Sequence, residues 1–252
     1  MPSISVVIPA LNDAEMLARC LEALAAQSRP ADEVVVVDNG STDDTAAVAA
    51  AAGARVVDEP IRGIFPATAA GFDAATGEVL ARLDADSVPP VDWLARVDAA
   101  FARDPSLTAL TGPGDFYGGT AFVHWAGRTL YIGGYFWFMG LVLGHPPLFG
   151  SNLALRAAGW QRLRRTVHRD LRDVHDDLDL SYHIEPDMVV ALDRDLRVGI
   201  SARPFGSWRA LRRRLVLAFA TIRLNGREMP ASRRRAARRR FVRQLERSQA
   251  LR

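Results

Sequence analysis

Residues 33–53 read EVVVVDNGSTDDTAAVAAAAG. Four consecutive valines make a short β-branched run, the composition of a buried strand. The run ends on Asp38, passes through a polar turn, and gives way to an alanine-rich helix that stops at Gly53, with Ser41 and Asp44 as its expected cap. The same strand, turn and helix recur on either side. ISVVI (4–8) predicts a strand. Asn12 with Glu15 predicts a capping box for the next helix, and Met16, Leu17, Cys20, Leu21 and Leu24 form its apolar stripe. ARVVD (54–58), a helix over 64–75, EVLARLD (78–84), a helix over 91–102 with Trp93, Leu94, Val97 and Phe101 on one side, and LTALTG (107–112) continue the alternation. Such alternation predicts a parallel sheet with helices on both faces. Ligands bind such sheets beyond the C-terminal strand ends, near a reversal of strand order. Three strands end there in polar, turn-forming residues: Pro9 to Asp13, Asp38 to Asp43, and Asp84 to Ser87.

The chain has 252 residues, 49% hydrophobic and 24% charged, which suits one large α/β domain or two small ones around a real core. One cysteine, Cys20, excludes an intramolecular disulfide and fits a reducing compartment. The start, MPSISVVIPA, lacks a basic stretch followed by an apolar run, so no signal peptide is expected. No uninterrupted run of about 18 apolar residues predicts a spanning helix. A cytoplasmic location follows as the expectation. The charge is uneven. Residues 203–252 hold 16 arginines against two acids, a net +14, so the preceding 202 residues carry −11 of the chain's +3. An acidic body with a basic tail predicts an anionic partner for the tail.

Residues 129–150, TLYIGGYFWFMGLVLGHPPLFG, are aromatic and glycine-rich, the pattern of a core segment or of a helix beneath a loop. Strands are expected around 188–192 and 196–200, and basic helices from 203 onward, the first setting arginines against Leu215, Val216, Phe219 and Ile222. The five histidines lack close metal-ligand spacing and are expected to be structural, His175 beside Asp176 being the exception kept open.

Five separated motifs then converge: IPALND (8–13), VVVVDNGSTDDT (34–45), LDADSVPP (83–90), GSNLALR (150–156) and HDDLD (175–179). Together, in this order, they resemble the family 2 glycosyltransferases over about residues 3–200. The resemblance implies an α/β GT-A type nucleotide-diphospho-sugar transferase fold, with a mostly parallel central sheet flanked by helices and a basic helical C-terminal tail. It divides the chain into a transferase domain over 1–202, with a nucleotide-binding half at 1–112 and an acceptor-binding half at 113–202, followed by the Arg-rich tail at 203–252. It implies that Pro9, Ala10, Leu11, Asn12 and Asp13 line the base and ribose, that Asp38 bonds the base, and that Arg62 is the basic contact in IRGIFPATAAG (61–71). It further implies that Asp84 meets the nucleotide and shares the metal with Asp86, that Asp177 is the catalytic base with Asp176 beside it, and that Asn152 and Asp176 lie on the acceptor side. The Q-x-x-R-W signature of processive synthases is absent, which implies transfer of one or a few sugars.

The chemistry agrees with those residue types. A departing nucleoside diphosphate leaves negative charge, which a divalent cation with oxygen ligands stabilises. Mg²⁺ or Mn²⁺ needs only one or two protein carboxylates, and Asp84 with Asp86 supplies them; the bland reading is an acidic turn before Pro89 and Pro90. An acceptor hydroxyl or lipid phosphate must be positioned, and a hydroxyl must lose a proton, which a carboxylate can take. Asp176, Asp177 and Asp179 crowd one turn, where like charges raise a carboxylate's pKa; the bland reading is stabilisation of a helix N-terminus. One base and no evident nucleophile favour direct displacement with inversion. The donor is thus a nucleotide-diphospho-sugar, and the acceptor is lipid-linked or a small molecule. The tail with its apolar face predicts peripheral attachment to an anionic cytoplasmic leaflet, against a merely solvated charge run. Two rival functions remain. A sugar nucleotidyltransferase needs a glycine-rich basic loop after the first strand, which PALNDAEM lacks. A nucleic-acid-binding protein acting through the tail finds no support in the acidic body.

Overall fold

The computed structural model describes residues 1–118, 120, 125, 127–203 and 208–250. The predicted alternation is present. β1 (Ile4–Ala10), β2 (Glu33–Asp38), β3 (Arg55–Asp58), β4 (Val79–Arg82) and β5 (Leu107–Thr111) alternate with α1 (Ala14–Ala25), α2 (Thr45–Ala51), α3 (Ile64–Ala74) and α4 (Trp93–Arg103). The chain continues through β6 (Gly114–Tyr117), a π-helical stretch (Gly127–Ile132), α5 (Gly133–Leu143), a 3₁₀ turn (Gly150–Asn152), β7 (Leu153–Arg156), α6 (Ala157–Leu163), α7 (Asp176–His183), β8 (Val189–Leu192), β9 (Val198–Ser201), α8 (Trp208–Glu228) and α9 (Ala231–Ala250).

The main sheet runs β3-β2-β1-β4-β7-β5-β8. β1 pairs parallel with both β2 and β4, so strand order reverses beside β1 and opens a crevice at its C-terminal end. β7 departs from the expected parallel sheet: it runs antiparallel between β4 and β5. Its direction has a consequence. Leu153, where β7 begins, lies opposite Arg82 and Thr111, the ends of β4 and β5. The 3₁₀ turn just before it therefore lies at the ligand end of the sheet. Short β6 and β9 pair parallel in a second sheet, which an isolated bridge from Val88 to Gly199 links to the segment after β4.

Every residue of β1 is buried because helices cover both of its faces. Cys20 lies in the core, as its place on the α1 stripe predicts. On the other face α3 approaches so closely that a Cβ on Gly71 would lie 2.3 Å from Val7 Cγ1. Neither expected helix cap forms: the residues before α1 and α2, Asp13 and Asp44, make no side-chain cap bond, and the Asp43 carboxylate instead accepts from the first amide of each helix, Ala14 at 3.2 Å and Thr45 at 3.1 Å. Asn12 and Ser41 instead bond to each other's loops, since Ser41 Oγ accepts from the Asn12 amide at 3.0 Å and Asn12 Oδ1 accepts from the Thr42 amide at 2.7 Å. Asn12 takes a positive φ of 53°, one of the few side chains that tolerate it.

α5 buries Met139 and Leu143 against Leu178 and Tyr182 of α7, with Ala218 and Ile222 of α8 packed beside them. The first Arg-rich helix is therefore fastened to the domain. Thr221 Oγ1 accepts from the His175 amide at 3.0 Å, and Asn225 Nδ2 donates to Asp179 Oδ1 at 2.8 Å. α9 follows across α5, where Arg234 stacks 4.6 Å over the Tyr182 ring and Arg238 donates to the Met188 carbonyl.

Candidate active site

Register places the first group of residues. Ala10 pairs with Asp38, so β1 and β2 end level. Pro9 and Ala10 are buried at the floor of the crevice, and Leu11 emerges with 39% of its surface exposed. Asp38 Oδ1 accepts from the Ser41 amide at 3.0 Å, which holds the turn beneath it. The Asp13 amide donates to Thr45 Oγ1 at 3.0 Å, so the β1 loop is tied to α2 as well. Arg62 lies across this edge, its Nη2 donating to the Gly40 carbonyl at 2.8 Å.

Asp84 and Asp86 follow β4 into the same crevice. The turn closes on itself, with the Ser87 amide donating to the Asp84 carbonyl at 3.0 Å. Asp84 meets Arg82 Nη1 at 2.6 Å through Oδ1, and its Oδ2 accepts from the Ser151 hydroxyl. Burial alone would raise its pKa, but the Arg82 guanidinium, the Ser151 hydroxyl and the Arg214 charge hold it below the ordinary value. Asp86 shifts the other way. Burial and the neighbouring Asp84 charge push its carboxyl up, opposed by Arg203. Arg203 spans two carboxylates: Nη2 lies 3.0 Å from Asp86 Oδ2, and Nη1 lies 2.7 Å from Asp13 Oδ1. Two aspartates one residue apart thus hold opposite tendencies, one ionised by a fixed partner and one short of positive charge.

Asp177 opens the first turn of α7. Its Oδ2 accepts from the Gly150 amide at 2.8 Å, and its Oδ1 accepts from the Leu178 amide at 2.6 Å. Burial and the adjacent Asp176 raise its pKa, against the pull of His175 and Arg82. Gly150 and Ser151 are consecutive, so the 3₁₀ turn hands one donor to Asp177 and the next to Asp84. That turn joins the carboxylate after β4 to the carboxylate on α7.

Two expected acceptor-side residues are placed elsewhere. Asn152 is fully buried: Oδ1 accepts from Trp93 Nε1 at 2.9 Å, and Nδ2 donates to the Leu196 and Pro113 carbonyls. It locks β7 to its neighbours and does not face the crevice. Asp176 is buried, taking Thr68 Oγ1 at 2.6 Å and Arg82 Nη2 at 2.9 Å on the same oxygen. It pins α7 to α3 and β4. His175 lies 3.9 Å from Asp177 through Nδ1. His124 lies outside the described residues.

Arg82, Ser151 and Arg203 carry no expectation from sequence, yet each holds a site carboxylate. An arginine inside the apolar run of β4 was the signal available for Arg82. Ser151 precedes a strand that sequence did not reveal, and Arg203 sits at the head of a segment rich in arginine throughout.

The sequence model of the family described as Glycosyl transferase family 2 matches residues 5–172. The glycosyltransferase AglE of Haloferax volcanii is 36% identical over 104 residues, which are 38% of this chain and 34% of that protein. A glycosyltransferase of Mycobacterium tuberculosis is 38% identical over 135 residues, 50% of this chain and 60% of that one. The aligned parts therefore span about a third to six-tenths of these relatives' length. Among solved structures, the mannosyltransferase PcManGT from Pyrobaculum calidifontis, in complex with GDP-Man and Mn²⁺, superposes with a TM-score of 0.67 at 24% identity, covering 93% of this chain and 68% of that one. Glucosyl-3-phosphoglycerate synthase from Mycobacterium tuberculosis, in complex with Mg²⁺ and UDP, gives a TM-score of 0.63 at 21% identity, covering 89% and 79%. The architecture is the GT-A fold, and the chain belongs to glycosyl transferase family 2.

Proposed function

We propose that the protein transfers a single sugar from a nucleotide-diphospho-sugar to an acceptor hydroxyl or lipid phosphate, with inversion and with help from a divalent cation. The observation that carries this reading is the convergence of Asp84 and Asp177 on the consecutive residues Ser151 and Gly150. One turn then places a carboxylate able to accept the acceptor's proton beside the carboxylate that meets the donor, the two functions a displacement at an anomeric carbon uses.

The residues fit a divalent cation. Burial and Asp84 raise the Asp86 pKa further than Arg203, 3.0 Å away, lowers it, so more positive charge there is favourable. The donor set is oxygen only, the kind Mg²⁺ and Mn²⁺ prefer. Such a cation, when bound, offsets the charge on the leaving diphosphate. Asp38, with Pro9, Ala10, Leu11, Asn12 and Asp13, forms the pocket edge for base and ribose. Arg62 stands on the exposed side of that edge.

Asp177 is the base. It is not fixed by an arginine of its own, and its raised pKa makes it a better proton acceptor than an ordinary carboxylate. The Gly150 and Leu178 amides hold its orientation. The folded state binds the Asp177 proton more tightly than the unfolded chain does. This group therefore adds stability as pH falls through its folded pKa and costs stability above it. Asp177→Asn should accordingly lose transfer by about 10²–10⁴-fold. Donor affinity should be unchanged, and the unfolding temperature should depend less on pH than that of the parent chain, because the titrating group is gone. The acid limb of the wild-type rate profile should lie above about 3.9, the ordinary aspartate value. Turnover retained in Asp177→Asn removes the residue from this role.

Peripheral attachment to an anionic membrane surface belongs to the same reading. No helix among the described residues is long and apolar enough to cross a membrane. Yet Trp137, Phe138 and Leu141 of α5, and Val216 and Phe219 of α8, are all exposed by half or more. Large apolar side chains beside arginines suit an interfacial position, and hence a lipid-linked acceptor.

A further inference from the structure

Beyond the crevice, three residues distant in sequence meet on the far part of α7. His168 lies in the loop after α6, His183 ends α7, and Glu228 ends α8. They offer ring nitrogens and a carboxylate oxygen that all lie within 4.8 Å of one another. Behind them Asp179 is fully buried and saturated. Its Oδ1 accepts from His168 Nδ1 and Asn225 Nδ2, both at 2.8 Å, and its Oδ2 accepts from the His168 amide at 3.0 Å. His183 Nδ1 faces the Asp179 carbonyl at 2.9 Å. Each imidazole turns Nδ1 toward an accepting oxygen of Asp179, so Nδ1 carries a proton and Nε2 is the nitrogen left for a second partner. His168 Nε2 then stands 3.0 Å from Glu228 Oε1. A ring nitrogen and a carboxylate oxygen at that distance share either a proton or a metal cation.

We propose that His168, His183 and Glu228 form a second metal site, for a zinc-class divalent transition ion held by two imidazole Nε2 atoms and one carboxylate, with water completing the shell. Two imidazoles and a carboxylate are a donor set of zinc sites that keep an open position. Asp179 supplies the outer carboxylate that orients a ligating histidine. The site opens outward, since Glu228 is half-exposed while Asp179 is buried. It differs in kind from the all-oxygen pair Asp84 and Asp86, and it does not depend on the reaction proposed there. Its occupant would join the end of the helix whose first turn holds Asp177 to the end of the first Arg-rich helix.

The test uses the untagged full chain, stripped with a chelator and titrated with Co²⁺. A visible absorption band of a four- or five-coordinate site should grow to one equivalent and be displaced by Zn²⁺, and Zn²⁺ should raise the unfolding midpoint by several degrees. The band should persist in Asp86→Ala and be lost in Glu228→Gln and in His183→Ala. Glu228→Gln changes only an exposed helix end, so its loss of the band is not a loss of fold, and circular dichroism of both variants checks this. No band in the parent chain overturns the proposal and leaves His168 as an imidazolium between Asp179 and Glu228. A band that survives both variants, or one that vanishes with Asp86→Ala, overturns it equally.

Discussion

Arg82 is the last residue of β4, 2% exposed, with its guanidinium between Asp84 Oδ1 and Asp176 Oδ2. Burial opposes its charge, and the Asp176, Asp84 and Asp177 carboxylates more than offset that. Its Nε has no hydrogen-bond partner, so both ends of the fork are committed to the acids. Removing one member of a buried ion network strands the others. Arg82→Ala should therefore lower folding stability by about 3–5 kcal/mol, measured by denaturant unfolding, and should raise the Asp84 pKa. A loss below about 0.5 kcal/mol, the range of ordinary surface substitutions, would show that the network does not hold the site. At this scale the sequence was half informative. The acidic residues were legible because charge at the end of an apolar strand is anomalous. Their basic partner was not, because Arg82 hides inside that strand and its second partner, Asp176, is remote in the chain. Asn152 misled for the opposite reason: its motif resembled a site loop, but the Trp93 indole and two carbonyls claim all of its polar atoms.

The 3₁₀ turn Gly150–Asn152 and β7 form the element on which the site is assembled. A Cβ at Gly150 would lie 2.5 Å from Arg82 Nη1 and 3.2 Å from Asp177 Oδ2. Arg82 cannot yield, being pinned from two sides. Gly150→Ala should cost about 1–3 kcal/mol, the range for overpacking a filled interior, and should depress transfer more than donor binding. Equal effects on both would show that the turn only supports the fold. Sequence reading recovered β1 through β5 because each is an apolar run set between turn residues in a regular alternation with helices. It missed β7 because LALR has no β-branched residue and stands outside that alternation, and its antiparallel direction is set by β4 and β5 alone. The expected helix caps failed for a related reason: Asn12 and Ser41 are engaged with each other's loops, partners that lie 29 and 30 residues away in the chain. The histidine pair behind Asp179 was equally hidden, since a whole loop and most of a helix separate His168 from His183.

On the scale of the molecule, charge and exposed apolar surface lie together. The basic helices α8 and α9 are fastened to an acidic body through α5 and α7. Arginines near an anionic surface contribute about 1 kcal/mol each, screened by salt. The chain should co-sediment with vesicles containing phosphatidylglycerol at low salt and release as salt rises. Trp137→Ser combined with Phe219→Ser should weaken that binding several-fold without changing the unfolding temperature. Equal binding by this variant, or binding indifferent to lipid charge, would contradict the interfacial reading.

The proposed cation at Asp86, holding the donor diphosphate, is tested most directly by the unfolding temperature with UDP, GDP or dTDP sugars in the presence and absence of Mn²⁺. One nucleotide class should stabilise the chain by several degrees, only with Mn²⁺, and Asp86→Ala should lose that shift while folding normally. Stabilisation by none of the three, or an undiminished shift in Asp86→Ala, would contradict it.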